Sequence, residues 1–153
     1  MLPRTPRILI VDDDPGSSEL IELMLHYSNP GYQVSSVQTA EEGLELAASE
    51  RFDLFLLDFR LPGMNGAELC RAIRLIDAET PVLFFTGAAY ERERHEAMQA
   101  GANAYLVKPD DLKKLTETVQ LLIGGGVSAS RRGVSTSARR GAPATARLST
   151  RSA

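Results

Sequence analysis

Five short apolar runs alternate with longer stretches of helical period, and few folds accept that alternation. Arg7–Val11, Tyr32–Val37, Asp53–Leu57, Pro81–Phe85 and Ala104–Val107 read as strands. Three of them are nearly continuous in Ile, Val, Leu and Phe, the pattern of parallel strands buried on both faces. Between them, residues 40, 44, 47 and 48 are apolar at i, i+4, i+7, i+8. Leu69, Ala72, Ile73 and Ile76 make a second stripe, and Leu112, Leu115, Val119 and Leu122 a third. Asp14-Pro15 supplies a helix cap with proline at the first helical position. Thr39-x-x-Glu42 and Asn65-x-x-Glu68 have capping-box spacing. Gly124-Gly125-Gly126 predicts the end of the last helix. The fourth helix, Tyr90–Gln99, has a thin apolar stripe, so it is expected to be mostly solvated and held by pairs such as Arg92–Glu96. The order βαβαβαβαβα with right-handed crossovers predicts an α/β fold, a doubly wound parallel sheet with helices on both faces.

Charge divides the chain. Residues 1–123 carry all 20 acids and 11 basic residues, a net of −9. Residues 124–153 carry six arginines (131, 132, 139, 140, 147, 151) and no acid, a net of +6. The acidic part argues against a grip on nucleic acid and suits a divalent cation. After residue 126 there is little large apolar surface to offset ordering entropy. The expected organisation is a folded domain over 1–126 and a disordered, basic, Ser/Arg-rich tail over 127–153. A coil of ~30 residues spans roughly 30 Å, enough to reach the acidic edge where the strands end, but a solvated extension is the favoured reading of the tail. No further domain is expected after it. The single cysteine, Cys70, forms no internal disulfide. No apolar run approaches the ~18 residues of a membrane span, and the first residues lack a signal-peptide layout. A soluble, cytoplasmic domain is expected.

In an open parallel sheet, ligands bind beyond the carboxyl ends of the strands. The first strand ends in Asp12-Asp13-Asp14, the third in Asp58, the fourth in Thr86 and the fifth in Lys108. These groups converge on one edge. Unit charges ~4 Å apart repel by about 4 kcal/mol at an effective dielectric of 20, so the carboxylates need a cation or raised pKa values. Hard oxygen donors at a watery edge favour magnesium, held by Asp13, Asp58 and water. Asp14 is better explained as a helix cap. A carboxylate beside a metal can accept a phosphoryl group as an acyl phosphate. Lys108 would then stabilise the transferring oxygens, and Thr86 would donate to the phosphoryl group and move inward with its loop.

Four segments together resemble the receiver domains of two-component response regulators. They are Ile8-Leu9-Ile10-Val11-Asp12-Asp13, Leu56-Leu57-Asp58-Phe59-Arg60-Leu61-Pro62-Gly63-Met64-Asn65-Gly66, Phe84-Phe85-Thr86-Gly87-Ala88, and Gly101-Ala102-Asn103-Ala104-Tyr105-Leu106-Val107-Lys108-Pro109. The resemblance covers about residues 6–123. It implies a flavodoxin-like (βα)5 fold of sheet order 2-1-3-4-5. It implies Asp58 as phosphoacceptor, and Asp12, Asp13, Asp58 and the Arg60 backbone carbonyl as Mg2+ ligands. It further implies Thr86 as switch hydroxyl, Tyr105 as switch aromatic, Lys108 as the phosphate-contacting lysine and a cis bond before Pro109. Arg60 and Ala88 fall at positions linked to phosphoryl lifetime; Ala88 is expected to leave attacking water unhindered and Arg60 to modulate access. Where the family often has phenylalanine after Lys-Pro, Asp110 stands here, a charge the last helix's N-terminus favours.

The expected function is therefore that of a single-domain response regulator. It takes phosphoryl from a histidine kinase or phosphotransfer protein and offers an output protein the face of the fourth helix, fifth strand and fifth helix. A phosphorylation-linked dimer fits this reading; a membrane or nucleic-acid partner does not. A phosphorelay intermediate or phosphate sink is the alternative. An aspartate-nucleophile phosphatase needs Asp-x-Asp-x-Thr/Val, which Asp12-Asp13-Asp14-Pro15-Gly16 lacks. A flavodoxin-like electron carrier needs a phosphate-cradling first loop, which three aspartates oppose. His26 and His95 are expected to be ordinary surface residues, Cys70 a packing residue, and Tyr105 suits either core or switch.

Overall fold

The computed structural model describes residues 4–132. Five strands, β1 (Arg7–Val11), β2 (Gln33–Val37), β3 (Leu54–Leu57), β4 (Val82–Thr86) and β5 (Ala104–Val107), form one sheet of order β2-β1-β3-β4-β5. All pairings are parallel. Helices α1 (Pro15–Ser28), α2 (Ala40–Ser49), α3 (Gly66–Ile76), α4 (Glu91–Gln99) and α5 (Leu115–Arg132) connect and follow them, with a 3-10 turn at Leu112–Lys114. This is the flavodoxin-like order that the resemblance implied.

The strand period of two sorts the core into two layers. Leu9, Val11, Phe55, Leu57 and Phe84 face one side, packed with Ala67, Leu69 and Ile73 of α3. Ile8, Ile10, Leu56, Leu83 and Phe85 face the other, with Ile21 and Leu25 of α1 and Leu115 and Val119 of α5. Both faces of β1, β3 and β4 are therefore apolar, which is why their sequences read as unbroken runs.

Caps fix the helix starts. Asp14 Oδ1 accepts from the Gly16 N–H at 3.0 Å, with Pro15 at the first helical position. Asn65 and Glu68 close a full capping box before α3. At Thr39 only half forms: its hydroxyl accepts from the Glu42 N–H, while Glu42 turns to the Gln38 N–H.

Three expectations need correction. Gly124–Gly126 does not end α5, which continues to Arg132. Glycine in a helix costs roughly 1 kcal/mol against alanine but keeps its backbone N–H, so it weakens a helix without forbidding one. The chain divides into units 1–123 and 124–153, and of the second only 124–132 are described. The tail expected over 127–153 is thus helical at 127–132, and its remainder lies outside the described residues. Glu96 does not pair with Arg92; it reaches Arg71 of α3 at 3.7 Å. Asp110 is exposed, and its neighbour Asp111 organises the turn after β5 by accepting from the Val107 N–H at 2.8 Å. That hydrogen bond draws the Asp111 carboxyl below its ordinary range.

The end of the sheet opposite the strand carboxyl termini is tied by Asp77. Burial pushes its carboxyl up, but the hydroxyl and N–H of Thr80 and the N–H of Glu79 outweigh this and hold it below the ordinary range. A depressed carboxyl adds stability above its unfolded pKa and loses it as pH falls through the folded one. We therefore expect the urea midpoint gap between wild type and Asp77→Asn to be present at neutral pH and to close on acidification. A gap constant with pH would contradict this.

Candidate functional site

The strand ends bring Asp12, Asp13, Asp58, Thr86 and Lys108 to one edge. Asp12 and Asp13 follow β1, Asp58 follows β3, Thr86 ends β4 and Lys108 follows β5. Carboxylate oxygens of Asp12, Asp13 and Asp58 lie within 4.8 Å of one another. Asp12 is buried, Asp13 is exposed and Asp58 is half-buried. This gradient opens the cluster to solvent on the Asp13 side.

Each oxygen has a defined surrounding. Asp12 Oδ1 accepts from the Asp14 N–H at 3.0 Å, and Oδ2 from Lys108 Nζ at 2.8 Å. Asp58 Oδ1 accepts a short hydrogen bond from the Thr86 hydroxyl. Asp58 Oδ2 lies 3.9 Å from Lys108 Nζ, near enough for charge attraction and too far for a hydrogen bond. Burial raises the Asp58 pKa, with Asp12 adding to the rise; Thr86, Lys108 and the Arg60 N–H pull the other way. One lysine among three carboxylates leaves the cluster short of positive charge. Hard oxygen donors at this spacing fit magnesium better than a softer metal.

Thr86 is a hub. Its hydroxyl also accepts from the Phe59 and Ala88 N–H groups, both at 3.2 Å. The Ala88 carbonyl in turn accepts from the Tyr105 hydroxyl at 2.6 Å. A continuous hydrogen-bonded path thus runs from Asp58 through Thr86 and Ala88 to Tyr105. Thr86 already points at the Asp58 carboxylate, which accepts a hydrogen bond from its hydroxyl. Tyr105 lies inside, stacked on Phe84 at 5.6 Å between centroids. Burial first, and then the Glu93 carboxylate, push its phenol up to about 12. Alkaline absorbance titration should show a tyrosine ionising near 12 that is missing in Tyr105→Phe.

Ala88 is fully buried and joins this path through its backbone. Arg60 extends its side chain to α4. Its guanidinium meets Glu93, with Nη2 at 3.0 Å and Nε at 3.2 Å from Oε2. Glu93 sits in the first turn of α4 and also accepts from the Tyr90 N–H at 3.3 Å. The peptide bond before Pro109 is cis. Cys70 is fully buried, and the His26 ring contacts the Tyr32 carbonyl at 3.1 Å.

Sequence reasoning missed two residues of the site. Glu93 lies three residues after Tyr90 and four before buried Ala97, a spacing that could have placed it inward. Ser17, whose Oγ accepts from Lys108 Nζ at 2.8 Å, carries no sequence signal beyond its place in the first turn of α1.

Comparisons agree with this geometry. The sequence profile of the response regulator receiver domain matches residues 8–120. The response regulator ArlR of Staphylococcus saprophyticus is 36% identical over 117 residues, covering 76% of this chain and 52% of that protein. The chain therefore spans about half the length of the curated relatives it matches. A CheY-like receiver domain protein from Methanospirillum hungatei JF-1 superposes with a TM-score of 0.76 at 31% identity, covering 82% of this chain and 98% of that one. A receiver domain of a sensor histidine kinase from Pseudomonas aeruginosa PAO1, described with a magnesium ion coordinated in its active-site cleft, gives 0.71 at 33% identity, covering 79% and 99%. The response regulator TrrA from Thermotoga maritima, in complex with Mg2+-BeF, gives 0.68 at 32% identity, covering 76% and 98%. Profile, relatives and fold converge on the span that carries the acidic edge, and the chain belongs to the response regulator receiver domain family.

Proposed function

We propose that Asp58 accepts a phosphoryl group from a histidine kinase or phosphotransfer protein, with magnesium, and that residues 1–126 carry this receiver activity by themselves. The observation that carries the reading is the asymmetry of Asp58: Oδ1 is held by Thr86, while Oδ2 faces Lys108 without a hydrogen bond. A lone pair on the free oxygen forms the new P–O bond as the donor's P–N bond breaks. That bond's electrons leave on the imidazole, which takes up a proton. Asp12, Asp13, Asp58 and the Arg60 carbonyl would hold the magnesium. When bound, it supplies charge to the transferring oxygens. Lys108 stands beside the oxygen on which the phosphoryl group arrives. Thr86 can turn its proton from the carboxylate to a phosphoryl oxygen without moving its loop far.

Two routes lead outward. One is the hydrogen-bonded path to Tyr105, and the other is the Arg60–Glu93 pair to α4. Both end on the α4–β5–α5 face, which we assign to an output protein or a phosphorylation-linked second copy. Output by protein contact is the favoured reading, with onward phosphoryl transfer or phosphate storage as the alternative. The N-terminal unit's net −9 charge suits neither nucleic acid nor an acidic membrane. Among the described residues no helix is long and apolar enough to cross a membrane. A cytoplasmic setting with a kinase fits this chemistry.

Incubation with acetyl phosphate and magnesium, read by intact mass, tests the proposal. Wild type should gain ~80 Da, the mass of a phosphoryl group, and Asp58→Asn should gain none. An adduct retained in Asp58→Asn would refute it.

A further inference from the structure

We infer that Ser17 is a positioning residue for the phosphoryl step: its hydroxyl parks the Lys108 ammonium beside Asp58 instead of on it. The inference rests on the reading of Asp58 as acceptor.

Lys108 Nζ donates to Ser17 Oγ and Asp12 Oδ2, both at 2.8 Å, and stays 3.9 Å from Asp58 Oδ2. The Phe85 ring lies on another side of the ammonium, 5.7 Å from its centroid. An ammonium has three N–H donors. Two are committed to acceptors following or starting from the β1–α1 connection, and the third has no acceptor among the described residues. A lysine free to move would pair directly with Asp58, because the two charges are already close. That pairing would occupy the lone pair that must attack phosphorus. Asp12 alone does not prevent it, since a flexible four-carbon stem lets the ammonium pivot about a single acceptor. Ser17 supplies the second fixed point. It stands on the first turn of α1, which the Asp14 cap and Pro15 make rigid. With two points held, the free N–H remains next to the oxygen that receives the phosphoryl group. The hydroxyl thus keeps the nucleophile open and the lysine ready.

The test uses the full chain as wild type, Ser17→Ala and Ser17→Thr. The first measurement is the rate of phosphorylation by acetyl phosphate across a magnesium series. Ser17→Ala should react roughly tenfold more slowly at saturating magnesium, equivalent to about 1.4 kcal/mol of activation free energy. Its half-saturating magnesium concentration should not change. Ser17→Thr, which restores a hydroxyl, should recover the wild-type rate to within about twofold. The second measurement is the lysine ammonium 1H–15N spectrum without metal or donor. The chain has only Lys108, Lys113 and Lys114, so assignment by single substitution is direct. A Lys108 signal sharp in wild type and Ser17→Thr and lost in Ser17→Ala supports the contact. A wild-type rate in Ser17→Ala overturns the inference. So does a changed magnesium dependence, which would mean that Ser17 acts through the metal-binding acids. If wild type takes no adduct, the acceptor reading fails by itself, and an ammonium signal unchanged in Ser17→Ala would still separately refute the contact.

Discussion

Gly66→Ala should lower stability by about 3 kcal/mol or more and abolish phosphoryl acceptance under ordinary conditions. Gly66 begins α3 directly beneath Asp58, and its N–H donates to the Phe59 carbonyl at 2.6 Å. A Cβ there would meet the Asp58 carbonyl oxygen at 2.3 Å, the Phe84 ring at 2.7 Å and Phe59 Cα at 2.8 Å. Two of these are backbone atoms of the strand end that carries the site, so no side-chain rotation relieves them. Either α3 lifts and unpacks Leu69 and Ile73, or Asp58 moves. A loss of 3 kcal/mol corresponds to a melting point lower by roughly 10 °C for a unit of this size. Thermal unfolding and the mass assay should both register the change. Gly87→Ala, whose Cβ meets nothing within 4 Å, should unfold near the wild-type temperature. Equal melting points for Gly66→Ala and wild type would show that the close approach does not hold in solution.

Arg74→Met should cost about 2–4 kcal/mol without touching the acidic edge. The Arg74 guanidinium lies at the opposite end of the sheet and donates to four oxygens. They are the carbonyls of Asp77, Thr80 and Gly101 and the Asn103 side-chain oxygen, at 2.7–3.2 Å. Burial lowers its pKa, partly offset by the nearby thiol and carboxylates. Methionine keeps much of the stem's packing and leaves those carbonyls without their charged donor. Lysine should recover only part, because a point charge cannot serve a fork of four acceptors. Gly101 adds to the constraint. Its φ is +114°, and a Cβ would press on Arg74 Cγ and Nε at 3.0 Å. Urea midpoints of the two variants check this, and a Lys variant as stable as wild type would remove the argument from fork geometry.

The parallel sheet was legible because β1, β3 and β4 bury both faces, so their sequences are apolar without interruption, while its order came from the family resemblance. Convergence of Asp12, Asp58, Thr86 and Lys108 followed from strand direction alone. What stayed hidden depends on packing between distant segments. Glu93 is acidic, sits in a strongly polar helix, and turns inward to meet Arg60 and the Tyr90 N–H. Arg74 looks like any helix-surface cation until the two loops that it binds come together. Nothing in the series Asp14-Pro15-Gly16-Ser17 distinguishes a serine that meets a lysine 91 positions away. The reach of α5 past Gly124 was misjudged for another reason. Propensity prices a glycine in a helix without deciding whether the helix ends there.

The Arg60–Glu93 pair has a consequence for whatever binds α4. Arg60 is rooted two residues beyond Asp58, and Glu93 in the first turn of that helix. If phosphorylation of Asp58 rearranges the pair, a partner that stabilises one arrangement changes the free energy of modifying Asp58, and modification changes the partner's affinity by the same factor. If Asp58 is the acceptor proposed above, reader and writer of the phosphoryl mark are thermodynamically linked. On that reading the partner's concentration would itself be an input to the switch.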